Sequence, residues 1–265
     1  KAIRMTTKVD QASVTQKSRS LSGGILVDLF VRLGVLPFFL VIALVVFTLA
    51  SSKFLTVENV TNVARQSVYL ILVSLGQMLP LVTGGFDISV GTTIAMTSVV
   101  SATAMVWVTS IWPEAIWLAV TVGVLAGLGA ALVIGAVNGV GVARFGVSPF
   151  IMTLGVQSVG AGVALFITGG VPIENLPYSF GDFFGFGIVW GVPVPVLIAA
   201  LAAIVVWVLM NRMRTGARLY AVGGNIKAAN LSGINTRRTL FLAYVICALL
   251  ASVAGILLTA RVESG

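Results

Sequence analysis

The sequence predicts an all-α, polytopic transmembrane helical bundle of about seven spans, with its N-terminus in the cytoplasm. Three observations predict it. The 265-residue chain is 58% hydrophobic and 9% charged, with a mean hydropathy of +1.09, whereas ordinary soluble domains carry about 25% charged residues. A soluble fold cannot hide that much apolar surface, so lipid is the solvent for most of the chain. Seven apolar runs, at 34–50, 67–83, 91–111, 115–137, 149–168, 193–211 and 239–259, each come near the ~20 residues that cross a bilayer core as a helix. Finally, positive charge is concentrated in residues 1–33 and 212–238, while 169–192 holds Glu174 and Asp182 and no Lys or Arg.

Residues 1–33 form a basic cytoplasmic segment, with Lys1, Arg4, Lys8, Lys17, Arg19 and Arg32 against Asp10 and Asp28. Residues 34–265 form the membrane domain. The run 34–50 ends in Ser51-Ser52 and resembles a signal peptide, but the basic leader is too long for an n-region, and it reads as an uncleaved first span. Alternating spans then put Arg144 and 212–238 inside and Glu114, Glu174 and Asp182 outside, as the positive-inside rule requires. Lys53 and Arg65 fall on the outer side as mild exceptions.

Between the second and third runs, Thr83-Gly84-Gly85-Phe86-Asp87-Ile88-Ser89-Val90-Gly91 interrupts nearly continuous apolar sequence. Gly84-Gly85 releases the helix. An unpaired Asp at the bilayer centre costs roughly 2.5–3.5 kcal/mol on insertion scales, and irregular backbone at depth survives only inside protein or beside a water-filled cavity. Two compatible readings follow: a broken helix that lines a path or forms a joint, and an Asp87 that caps the third helix through the N–H of Ser89 or Val90. In the fourth run, Gly123, Gly127, Ala131, Gly135 and Gly139 line one helix face at every fourth residue, which predicts close helix packing.

The loop 212–238 holds six Lys or Arg and no acid. It also has internal order. Gly223-Gly224 breaks the chain, Asn225 caps a short helix over Ile226–Leu231, and Gly233 ends it. A short helix presented to the cytoplasm suggests a docking surface for a soluble partner.

Other chemistry is excluded. The net charge of +8 lies outside the apolar runs, where topology explains it, so nucleic acid is not an expected partner. The chain has no His and one Cys, Cys247, so it holds no internal disulfide and no His-based metal site or general base. No phosphate-binding Gly-x-x-x-x-Gly-Lys-Ser/Thr loop, nucleophile elbow or zinc-ligand cluster occurs. No catalytic and no metal-ligating residue is expected. Intramembrane acids, on which ion-coupled carriers depend, are nearly missing apart from Asp87. The chain reads as a conduit without its own motor.

At this point the residues resemble a known family, the membrane permease subunits of ribose-type, monosaccharide-importing ABC transporters, a branch related to branched-chain amino acid permeases. The resemblance rests on Gly84-Gly85-Phe86-Asp87-Ile88-Ser89-Val90-Gly91 and on Tyr220-Ala221-Val222-Gly223-Gly224-Asn225 through Ala228-Ala229 to Ser232-Gly233-Ile234-Asn235. Asn138-Gly139, Pro149-Phe150-Ile151 and Thr153-Leu154-Gly155 also match. It implies further spans beyond the last run here. It also implies a homodimer or a heterodimer with a sister permease, two cassette ATPase subunits that bind ATP and Mg2+, and a periplasmic sugar-binding protein. The chain itself would carry no cofactor and sit as a multi-pass protein in the bacterial inner membrane.

The resemblance further implies a coupling helix within Gly216–Arg238. Its expected contacts are Gly216, Tyr220, Gly223, Gly224, Asn225 and the small Ala228 and Ala229, continuing through Ser232, Gly233, Ile234 and Arg237. A neutral sugar needs hydrogen-bonding groups, and the path or gate residues expected are Gln77, Thr83, Ser89, Asn138 and Gln157, with Gly84, Gly85, Asp87 and Gly91 at the break. The alternatives are an amino acid permease of the related branch and an ion-coupled secondary carrier.

Overall fold

The computed structural model describes residues 34–265; the basic segment 1–33 lies outside the described residues. The chain divides into two units, the first ending at Thr56 and the second running Val57–Gly265. In the first, α1 covers Leu36–Ala50 and ends where Ser51 turns extended at φ −146°. At 1.5 Å per residue its 15 residues reach about 22 Å, short of the ~30 Å hydrocarbon core.

The second unit contains six helices long and apolar enough to cross a membrane, and these are the ones found among the described residues. They are α2 (Val57–Val82), α3 (Val90–Ile111), α4 (Ile116–Ala143), α5 (Pro149–Thr168), α7 (Val194–Asn211) and α10 (Thr236–Val262). Between α5 and α7 lie a single turn, α6 (Tyr178–Phe180), a π-helical turn (Gly181–Phe186) and a minimal hairpin. The hairpin pairs β1 (Ile188–Val189) with β2 (Val192–Pro193). Its two-residue turn holds Trp190 at φ 53° and Gly191 at φ 77°, both left-handed as such a tight turn demands. The fold is thus helical apart from this hairpin. Between α7 and α10 come α8 (Arg214–Gly224) and α9 (Ile226–Leu231).

Seven apolar runs therefore become six span-length helices and one shorter one. The helices also outrun the apolar runs. α2 starts at Val57 rather than 67, because the helix continues through polar first turns that hydropathy does not mark; they are largely exposed or half-buried, and Arg65 alone among them is buried. Arg65, only 9% exposed, donates through Nη2 to the Phe186 carbonyl at 2.8 Å, and the Arg261 guanidinium lies 4.4 Å from the centre of the Phe186 ring. An apparent exception to the charge rule is a clamp on the π-turn.

α10 is the central helix. It packs against α2, α3 and α4, and its inward residues are mostly small: Ala243, Ala248, Ala251, Ala254, Gly255 and Ala260 are buried. Small side chains let helix backbones approach where no hydrophobic effect drives association. The stripe on α4 supplies the complementary surface. A Cβ at Gly123 would meet Met105 and the Ser101 carbonyl, one at Gly127 would meet Thr97, and one at Gly135 would meet Val245 and Ala248. The expected close packing is thus found, on α3 along one half of the stripe and on α10 along the other.

Candidate functional site

The break between α2 and α3 is built by a helix stop and a side-chain network. α2 closes with the Gly84 N–H donating to the Leu81 carbonyl (3.0 Å) and the Gly85 N–H to the Pro80 carbonyl (2.9 Å). Gly84 is left-handed at φ 81°. This is the Schellman arrangement, in which glycine escapes the Cβ penalty. Thr83 returns its hydroxyl to the Pro80 carbonyl at 2.8 Å.

Asp87 then turns the chain into α3. Its Oδ1 accepts from the Ser89 N–H (2.9 Å) and the Ser89 hydroxyl (2.6 Å). Asn138 of α4 donates from Nδ2 to Ser89 Oγ at 2.8 Å and more weakly to Asp87 Oδ1 at 3.5 Å. From α5, Thr153 Oγ1 accepts the Ile88 N–H at 3.1 Å. Asp87, Ser89, Asn138 and Thr153 are all fully buried. Asp87 therefore does organise the start of α3, and it also ties that start to α4. It lies in the connector, outside either span. Burial raises its carboxyl above the ordinary range, against the lowering effect of the Ser89 and Asn138 hydrogen bonds.

Two residues of α10 complete the cluster. The Tyr244 hydroxyl sits where a Cβ on Gly85 would be, so any larger residue there would have to displace it. Cys247 Sγ lies 3.6 Å from Gln77 Oε1, which places Gln77 of α2 at the same level. The structure thus gathers Gln77, Gly85, Asp87, Ser89 and Asn138 at one packed joint. Gln77, Asp87, Ser89 and Asn138 are buried there. Gln157 stands apart on α5, half-buried, with its carbonyl accepting from Thr92 at 3.0 Å; Gly91 faces open space. Sequence reasoning missed Tyr244, whose only local signal is a lone phenol in an apolar run, and missed that Thr153 pins the connector.

The basic loop 212–238 lies against this joint. Asn225 Oδ1 accepts the N–H groups of Lys227 and Ala228, both at 3.0 Å, and so caps α9. Gly233, at φ 80°, closes α9 as the Ile234 N–H reaches the Ala229 carbonyl at 3.1 Å. Gly223 of α8 rests on the end of α2: a Cβ there would collide with the Val82 carbonyl and approach Thr83. The two motifs, more than 100 residues apart in sequence, are in contact.

The expected coupling residues divide by direction. Tyr220, Asn225, Ala228, Ser232 and Arg237 are exposed, as are Arg214, Arg218, Lys227 and Arg238. Ala229 is buried, so of the two alanines expected to seat a partner only Ala228 faces outward. Gly216 is also buried, with Met210 filling the space of a Cβ. Gly224 has open space around it, and Ile234 is half-buried. Among the described residues no group of three or more His, Cys, Asp or Glu converges on a metal-sized site.

Residues 59–265 match the model of the family described as branched-chain amino acid transport system / permease component. The D-allose transport system permease protein of Escherichia coli (strain K12) is 34% identical over 84% of this chain and 66% of its own length. The ribose import permease protein of the same strain is 37% identical over 85% of this chain and 68% of its own. The ribose import permease protein of Bacillus subtilis (strain 168) is 34% identical over 97% of this chain and 76% of its own. The chain spans about two thirds of the length of the first two relatives. No solved structure matches it.

Proposed function

This chain belongs to the branched-chain amino acid transport system / permease component family, and on that premise we propose that it is the permease subunit of an ATP-driven importer carrying a ribose-like monosaccharide across the bacterial inner membrane. The relatives' printed substrates, ribose and allose, favour a sugar over an amino acid. On this reading residues 1–33 and the segment 212–238 face the cytoplasm, α1 is a first, shorter span, and the π-turn and hairpin lie outside. Positive charge is distributed accordingly. Trp107, Trp112, Trp117 and Trp190 are all exposed towards that outer side, where aromatic belts sit.

The observation that carries the mechanism is the seat of Gly223 on Val82 and Thr83. ATP and Mg2+ belong to cassette ATPase subunits docked on the exposed face of α8 and α9. A periplasmic sugar-binding protein delivers the substrate, and a second permease subunit completes the path. Closure of the ATPase dimer pushes α8, which bears on the end of α2. The Schellman break and the Asp87 network there convert the push into relative movement of α2 and α3. Competition uptake tests the substrate class: ribose-like sugars displace the labelled substrate and leucine does not. Displacement by leucine alone overturns the sugar reading.

A further inference from the structure

Three buried oxygens at the joint have no hydrogen-bond partner: Asp87 Oδ2, Asn138 Oδ1 and Tyr244 OH. They come from three different elements, the connector, α4 and α10, and each residue is fully buried. The Asn138 amide is held against the Asp87 carboxylate and Ser89 Oγ, and the Tyr244 hydroxyl lies over Gly85, two residues before Asp87. No direct hydrogen bond joins the three oxygens, so they do not satisfy one another. Buried polar atoms are rarely left in this state, and each such atom calls for an explanation.

Charge sharpens the question. A buried carboxylate is paired, coordinates a cation, or takes up a proton. The groups hydrogen-bonded to the Asp87 carboxylate are Ser89 and Asn138, and neither carries charge. A proton would balance the charge and convert Oδ2 to a donor, but a single O–H can satisfy only one further oxygen. A cation balances the charge and can meet all three oxygens.

The donor set identifies the class of ion. It is all oxygen, which selects hard cations over soft ones. It contains one carboxylate, whereas calcium sites assemble six to eight oxygens, several of them carboxylate, and magnesium keeps a rigid octahedron with several waters. One negative charge among neutral oxygens matches one positive charge. In membrane proteins the interrupted helix is a recurrent place for such ions. We propose that Asp87 Oδ2, Asn138 Oδ1, Tyr244 OH and Ser89 Oγ form a site for a monovalent alkali cation. The bound ion ties α10 and α4 to the connector beneath Gly223, and it is a structural ion rather than a co-transported one. The inference stands apart from the transport reading, because binding needs neither sugar nor ATP.

The test uses the full chain purified into nanodiscs, with thermal unfolding followed in NaCl, KCl and choline chloride at equal ionic strength. The expected result is a saturable rise of the midpoint with Na+ or K+ that choline does not give. Asp87→Asn abolishes it. Tyr244→Phe, which keeps the ring, raises the half-saturating concentration tenfold or more, and Ser89→Ala raises it less. Identical midpoints in the three salts overturn the proposal, as does an undiminished response in Asp87→Asn. If Asp87→Asn does not fold, unchanged half-saturation in both Tyr244→Phe and Ser89→Ala overturns it. A carboxylic-acid infrared band in saturating salt that is absent from Asp87→Asn shows that a proton, not an ion, neutralises the site, and also overturns it.

Discussion

Gly223 and Gly224 are adjacent, both end α8, and yet they face different surroundings. A Cβ at 223 would strike the Val82 carbonyl, whereas nothing lies within 4 Å of one at 224. Neither is left-handed, since Gly233 is the only positive-φ glycine of this segment. Replacing a helical glycine by alanine gains about 1 kcal/mol where space allows. Forcing an extra methyl into packed structure costs typically about 1–3 kcal/mol, and the upper half applies here because the obstacle is backbone rather than a flexible side chain. Gly223→Ala therefore penalises the seated arrangement of α8 by about 1–2 kcal/mol net, a factor of roughly 5–30 in its population. Gly224→Ala carries no penalty. In the complete importer reconstituted with its ATPase, Gly223→Ala is expected to keep membrane insertion and ATP turnover but to lose sugar uptake per ATP by that factor. Gly224→Ala is expected to match wild type. Wild-type coupling in Gly223→Ala, or equal loss in both variants, refutes the claim that this seat transmits the stroke.

Three further outcomes follow from the same geometry. Ala228→Trp is expected to fold normally but fail to capture the cassette ATPase in pull-down, whereas Ala229→Trp, overfilling a buried site, lowers the thermal midpoint itself. Gly123→Ala, whose Cβ would crowd Met105 and stand 2.8 Å from the Ser101 carbonyl, is expected to cost about 1–3 kcal/mol by parting α3 from α4; Gly129→Ala, in open space, is expected to be neutral or stabilising in the same unfolding assay. Because Cys247 is buried, introduced cysteines report topology cleanly: in intact cells a membrane-impermeant maleimide should label Glu174→Cys and spare Ser232→Cys, and the reverse pattern inverts the orientation.

What the sequence made legible was local. Asn225, α9 and Gly233 follow from capping chemistry within nine residues, and the Gly84-Gly85 stop follows from the residues that form it. The stripe on α4 announced close packing because its period is that of the helix. The features that escaped depend on distant partners. Ile88 meets Thr153 across 65 positions, and Arg65 meets Phe186 across 121; neither pairing leaves a periodic trace. Hydropathy reports transfer to lipid, so it missed the first turns of α2, where Glu58, Asn59, Thr61, Asn62, Arg65 and Gln66 are polar. The facing of Ala228 and Ala229 was equally hidden. A six-residue helix whose large apolar residues, Ile226 and Leu231, both stay exposed gives no apolar stripe from which to read its inner side.

The proposed permease moves sugar only with work borrowed from a partner bound at 212–238. The decisive measurement is uptake by sealed vesicles holding the permease with and without cassette ATPase subunits, supplied with binding protein and sugar. Accumulation that requires both ATPase and ATP, and that persists when ion gradients are collapsed, is the predicted result. Accumulation by the permease alone, driven by an ion gradient, would contradict it.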